Sequence, residues 1–146
     1  VKGPGWLFVF YLFVVTKFYD IGAYASGRIF GRHKLIPRIS PNKTWEGLLG
    51  GFVIAMIASV TAYQYLHDRM ADAGVLFGYR DALILGVVLA ALGAIGDLSE
   101  SMLKREVNAK DSGGVLPGIG GALDLIDSLL FTAPALYAYL VLVIRA

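Results

Sequence analysis

A run of twenty residues without a charge, 47–66, constrains this chain more than any other feature of its sequence. As a helix, such a run is about 30 Å long at 1.5 Å per residue, the thickness of a bilayer's hydrocarbon core. Three more stretches are of the same grade. Residues 4–26 open uncharged and admit only Lys17 and Asp20, residues 82–96 carry no charge, and residues 122–144 carry only Asp124 and Asp127. Hydrophobic residues make up 57% of the chain and charged residues 16%, against about 25% charged in soluble domains. One water-soluble core cannot bury four such runs. The sequence predicts an all-α, polytopic transmembrane bundle of about four spanning helices, forming a single membrane domain over residues 1–146. The chain starts at Val1 with no signal-peptide pattern and only Lys2 flanking the first run, so it reads as the C-terminal part of a longer protein.

Charge sets the expected topology. Residues 27–47 hold Arg28, Arg32, Lys34, Arg38 and Lys43, with His33, against Glu46 alone. Lys104, Arg105 and Lys110 cluster after the third run, whereas residues 67–81 mix signs and contain only Arg69 and Arg80. By the positive-inside rule the first two segments are cytoplasmic and both chain ends lie outside. Both motif-bearing loops then face one compartment. A net charge of +2 gives no case for nucleic acid, and without cysteine there is no disulfide framework, thiolate zinc site or cysteine nucleophile. His33 and His67 fall on opposite sides of the expected bundle, and His67 reads as a solvated loop residue. Ser40-Pro41 reads as a helix N-cap with proline at the first helical position, beside Lys43, where a helix N-terminus would attract phosphate oxygens. Gly50-Gly51 suits close helix packing.

Acidic residues inside runs this apolar are functional-site candidates by default, because a charge at a span's centre costs about 2.5–3.5 kcal/mol on insertion scales. Lys17, Asp20 and Tyr24 share a helix face. Either Lys17 and Asp20 only pair with each other, or Asp20 also faces a polar site. Past Gly96 the third run continues without a breaker, and Asp97, Ser101 and Lys104, with Glu100 adjacent, form one polar stripe. Asp124 and Asp127 project from one face of the fourth helix and would repel each other without a counter-ion; oxygen-only ligands suit Mg²⁺ or a similar hard cation. Asp111 joins them if its loop folds back. Between lies SGGVLPGIGGAL, uncharged and rich in glycine, which can sit at membrane depth where protein or a water-filled cavity surrounds it. A channel would use such a loop as a filter. Metal-assisted phosphoryl or nucleotidyl transfer would use the same carboxylates, cations and exposed backbone together.

At these residues the sequence resembles the phosphatidate cytidylyltransferases, or CDP-diacylglycerol synthases. Their long signature stands here as Ser101, Lys104, Arg105, Lys110, Asp111, Gly113, Leu116, Pro117, Gly118, Gly120, Gly121, Asp124 and Asp127. An upstream pattern matches at Asp20, Ala23, Tyr24, Gly27, Arg28, Gly31 and Arg32, then Ser40, Pro41, Lys43, Thr44, Glu46 and Gly47. Two positions depart from it: Ile119 replaces the usual histidine and Leu125 the usual arginine. Arg105, or Arg28 and Arg32, are the candidates to supply the missing charge.

The resemblance implies transfer of CMP from CTP to phosphatidic acid at the cytoplasmic face of a bacterial inner membrane, giving CDP-diacylglycerol and pyrophosphate. It implies Mg²⁺, with room for a second cation, held by Asp111, Asp124 and Asp127 with Asp97 and Asp20 outside them. Lys104, Arg105 and Lys110 would hold phosphates, and Ser101 would donate a hydrogen bond or orient nucleotide. Arg28, Arg32, Ser40, Lys43 and Thr44 would bind substrate. Expected partners are CTP, phosphatidic acid and membrane lipid, with a homodimer left open. A CTP-dependent lipid kinase would use similar parts, and an ion-coupled transporter or channel is the rival from another class. A CDP-alcohol phosphotransferase fits less well, because Asp124 and Asp127 lack the lead that its motif requires. The remaining alternative is an inactive membrane half whose acids only pair with Lys104, Arg105 and Lys110.

Overall fold

The computed structural model describes the backbone of residues 5–72, 74–106 and 122–144, and their side chains except those of 104, 106 and 122–127. It is a helical bundle with one small hairpin. Helix α1 covers Gly5–Phe30, α2 Trp45–Asp72, α3 Tyr79–Glu106 and α4 Ala122–Tyr139, which continues as a π-helical turn over Leu140–Ile144. The first three are long and apolar enough to cross a membrane, and the stretch Ser128–Ile144 is a shorter apolar helix. With its apolar exterior, this is an integral membrane protein. Val9, Phe13, Val53, Ile57 and Leu142 are exposed as lipid-facing side chains would be.

The helices pack in chain order, α1 on α2, α2 on α3 and α3 on α4, with α1 also reaching α3 and α4. Core side chains recur at helical spacing: Leu7, Tyr11 and Val15; Ala55, Ala62 and Leu66; Leu85 and Leu89; Leu136 and Leu140. Hydrophobic association is weak between helices already in lipid, so close approach through small residues carries more of the packing. A side chain on Gly47 would meet the Ala23 carbonyl at 2.9 Å and Gly27 Cα at 3.1 Å, and one on Gly51 would meet the Tyr19 ring at 2.7 Å. The expected close packing at Gly50-Gly51 is therefore present, against Ser26, Tyr19 and Ala23.

Polar groups in the apolar half are satisfied internally, as lipid demands. The Tyr11 hydroxyl meets Ser59 Oγ at 2.5 Å, and Ser59 donates to the Ala82 carbonyl at 2.5 Å, tying α1, α2 and α3 together. At that same end, Asp81 accepts the Gly78 N–H at 2.8 Å and the Tyr139 hydroxyl at 2.7 Å, capping α3 and fastening α4 to it.

Two local expectations are corrected. Helix α2 runs on to Asp72, so His67 lies within it, its ring 5.1 Å from that of Tyr63, and not in a loop. No breaker intervenes before Gly74, which takes φ +71°; the Gly74 and Val75 N–H groups close the helix on the Ala71 and Met70 carbonyls. Ser40-Pro41 does not start a helix. It opens strand β2, Ser40–Thr44, which pairs antiparallel with β1, Lys34–Ile36, an element that the all-α expectation lacks. The cap is Thr44, whose hydroxyl accepts the Gly47 N–H at 3.1 Å, with Glu46 in the first turn. Pro41 is tolerated because this two-stranded sheet consists of edge strands only.

Candidate active site

The hairpin stands over a cavity of about 640 Å³ at the end of the bundle where α1 and α3 finish and α2 begins. Each wall has a local cause. On α1, Asp20, Tyr24 and Arg28 are spaced at four residues and fall on one stripe lining the cavity. On α3, Asp97 and Ser101 repeat that spacing, and the Ser101 hydroxyl turns back to the Asp97 carbonyl at 2.9 Å. From the hairpin come Ser40, Asn42, Lys43 and Thr44. The Gly27–Gly47 crossing brings the start of α2 up to the same space, its Trp45 and Gly47 N–H groups taken by the His33 carbonyl and the Thr44 hydroxyl.

The electrostatics are those of a mixed-charge pocket. Lys43 Nζ lies 2.6 Å from Asp97 Oδ2, joining β2 to α3. The ammonium is itself buried, against that carboxylate. Lys17 Nζ pairs with Asp20 at 3.1 Å while Asp20 also lines the cavity, so the aspartate does more than pair with that lysine. Arg28 donates to the Tyr24 hydroxyl at 2.8 Å and keeps its guanidinium exposed at the rim. Below, Tyr19 is wedged between Gly51 and Gly93 and forms part of the cavity wall.

Of the residues expected at a site, Asp20, Asp97, Ser101, Arg28, Ser40, Lys43 and Thr44 share this one cavity. Arg32 does not; it is exposed beyond the end of α1, outside the lining. Arg105 also lies outside it, and its Nε donates to the Ile39 carbonyl at 3.2 Å, holding the hairpin tip to α3. Among the described residues Asp97 pairs with a hairpin lysine. Lys110, Asp111 and the glycine-rich loop, and the side chains of Lys104, Asp124 and Asp127, lie outside the described residues; α4 places the two aspartates in its first turns. Among the described residues no three acidic or histidine side chains gather as a metal site. Asp20 and Asp97 do offer hard oxygen donors to one cavity, the ligand chemistry that suits Mg²⁺. Tyr19 and Asn42 were not singled out from the sequence. Asn42 had no signal of its own, and the glycines that seat Tyr19 come from two other helices.

Fold and cavity define an intramembrane helical protein with a polar, mixed-charge cavity at one end of its bundle. Residues 2–143 match the sequence profile of the cytidylyltransferase family, and the chain belongs to that family. It is 45% identical over 138 residues to a phosphatidate cytidylyltransferase of Bacillus subtilis, covering 94% of this chain and 49% of that protein. It is 40% identical over 130 residues to a phosphatidate cytidylyltransferase of Haemophilus influenzae, covering 89% and 44%. The chain thus spans about half the length of these relatives. Its fold also matches a solved structure described as an intramembrane enzyme for archaeal membrane lipids biosynthesis, with TM-score 0.55, 21% identity and coverage of 86% and 75%.

Proposed function

We propose that this chain carries the site at which a phosphatidate cytidylyltransferase moves CMP from CTP to phosphatidic acid. The observation that carries the reading is the convergence of Lys43, Arg28, Asp20, Asp97 and Ser101 on one cavity at the bundle's end. A phosphate oxygen of the lipid attacks the α-phosphorus of CTP; that P–O bond forms, the bond to the β-phosphate bridge breaks, and pyrophosphate leaves. Charge accumulates on phosphate oxygens throughout, so fixed cations and backbone N–H groups are what the reaction needs. Lys43 supplies an ammonium in the cavity wall, and Arg28 a guanidinium at the rim. Mg²⁺, when bound, neutralises triphosphate charge, with Asp111, Asp124, Asp127, Asp97 and Asp20 as the oxygen donors. Substrate geometry supports the membrane-surface position, because the lipid's phosphate and acyl chains must lie on either side of the interface.

The proposal includes a bacterial inner membrane, with the cavity opening to the cytoplasm as the cations of residues 27–47 suggest. The homodimer left open by the sequence enters none of these steps. The test is product analysis with the full-length protein in bilayer nanodiscs, supplied with CTP, Mg²⁺ and phosphatidic acid. CDP-diacylglycerol with stoichiometric pyrophosphate is expected. Release of CDP with a phosphorylated lipid would instead make it a lipid kinase, and ion flux without CTP turnover would make it a transporter.

A further inference from the structure

We propose that the exposed side of the β1–β2 hairpin docks the headgroups of anionic phospholipids in the membrane that the chain spans. The hairpin sorts its cations by side. Lys43 faces the cavity and is held by Asp97, whereas Arg32, Lys34 and Arg38 are exposed and line no part of the cavity. Every nearby acid with an assigned partner is committed elsewhere. Glu46 accepts from both the His33 ring, at 2.7 Å, and the His33 N–H, Asp97 holds Lys43, and Asp20 holds Lys17. Among the described residues no ion pair includes Arg32, Lys34 or Arg38. Three exposed like charges thus fall within seven residues of sequence at the hairpin, with no ion pair among the described residues.

Placement names the partner. The hairpin joins the end of one spanning helix to the start of another, so it lies at the membrane surface. Its flanks are apolar and outward: Ile29, Phe30 and Trp45 are 70%, 65% and 52% exposed. Apolar side chains next to guanidinium and ammonium groups repeat the order of a phospholipid, acyl chain below and phosphate above. A soluble anion would use the cations alone and leave the three apolar flanks unexplained. The positive-inside rule accounts for the sign of this segment. It does not account for acids being spent on His33 and the inward Lys43 while the outward cations have no ion pair among the described residues. This inference concerns lipid binding outside the cavity and does not depend on which reaction occurs within it.

Native mass spectrometry of the full-length protein, titrated with phosphatidylglycerol and separately with phosphatidylcholine, tests it. Lys34→Gln/Arg38→Gln is expected to weaken the tightest phosphatidylglycerol binding about 25-fold, at about fivefold for each of the two surface cations, while leaving phosphatidylcholine binding as it was. Lys34→Arg/Arg38→Lys keeps the charge and is expected to keep the affinity, which separates loss of charge from damage to the hairpin. Equal phosphatidylglycerol affinity in the wild type and the glutamine variant would overturn the proposal. So would displacement of the lipid by inorganic phosphate at constant ionic strength, which would mark a free-anion site.

Discussion

Lys43 and Asp97 meet at 2.6 Å across the mouth of the cavity, one from the hairpin and one from α3. With its side chain 40% exposed, Asp97 is partly screened by solvent, and such pairs add little to folding, about 0–1 kcal/mol. The pair matters more for what it keeps in place, a cation beside the first turn of α2. Lys43→Ala is therefore expected to raise KM for CTP about ten- to hundredfold, the range for one lost charge-assisted contact. Thermal stability should change little. Steady-state kinetics at varied CTP decide it, and an unchanged KM would remove the hairpin from the nucleotide site.

Thr44 begins α2 by accepting the Gly47 N–H, and its side chain also packs into the Gly27 and Gly31 bends. Thr44→Ala should cost about 1 kcal/mol, the usual loss for an N-cap, while Thr44→Ser keeps the oxygen and most of the stability. Unfolding curves in detergent for both variants measure this. Equal losses would show that the methyl contacts, and not the cap, dominate.

Gly47 and Gly93 make a matched comparison within the same bundle. A methyl group at Gly47 would press on backbone, the Ala23 carbonyl and Gly27 Cα, which cannot rotate away. At Gly93 it would meet only the Tyr19 ring, at 3.5 Å, an ordinary contact. Gly47→Ala should therefore destabilise by about 1–3 kcal/mol through overpacking. Gly93→Ala should be neutral or stabilising, because alanine is favoured over glycine in a helix by about 0.8–1 kcal/mol. Midpoint temperatures of the two variants, compared with the wild type, check the sign of each.

The parts that were legible in the sequence are those governed by one-dimensional chemistry. The order and placement of the apolar helices, the unbroken run of α3 through Asp97 to Glu106, and the shared face of Asp97 and Ser101 follow from hydropathy and a 3.6-residue period. The hairpin was not legible. Its strands have three and five residues, the register shifts between Lys34↔Thr44 and Ile36↔Ser40, and Ser40-Pro41 imitates the cap that Thr44 provides. Nor could local pattern reveal that Lys43 pairs with Asp97, or that Arg105 reaches the Ile39 carbonyl, since both contacts exist only after three helices have packed. Arg32 matched the family pattern yet stands outside the cavity, because α1 ends at Phe30 and the chain turns outward before the hairpin.

Asp127 provides the sharpest test of the chemistry. Helix α4 places Asp124 and Asp127 three residues apart in its first turns, where the positive end of the helix dipole favours carboxylates. As the proposed oxygen donors to a hard cation they would act through charge, and Asn keeps the size and one oxygen while removing that charge. Asp127→Asn in the full-length protein is therefore expected to lower CMP transfer at least about 100-fold, the scale of losing one fixed electrostatic contact in a phosphoryl-transfer site. Expression and helical content should stay at wild-type levels, since the substitution adds no bulk. Turnover assayed with radiolabelled CTP, alongside circular dichroism, reads both. Wild-type turnover in a well-folded variant would remove Asp127 from the reaction and, with it, the main reason for placing a cation at the start of α4.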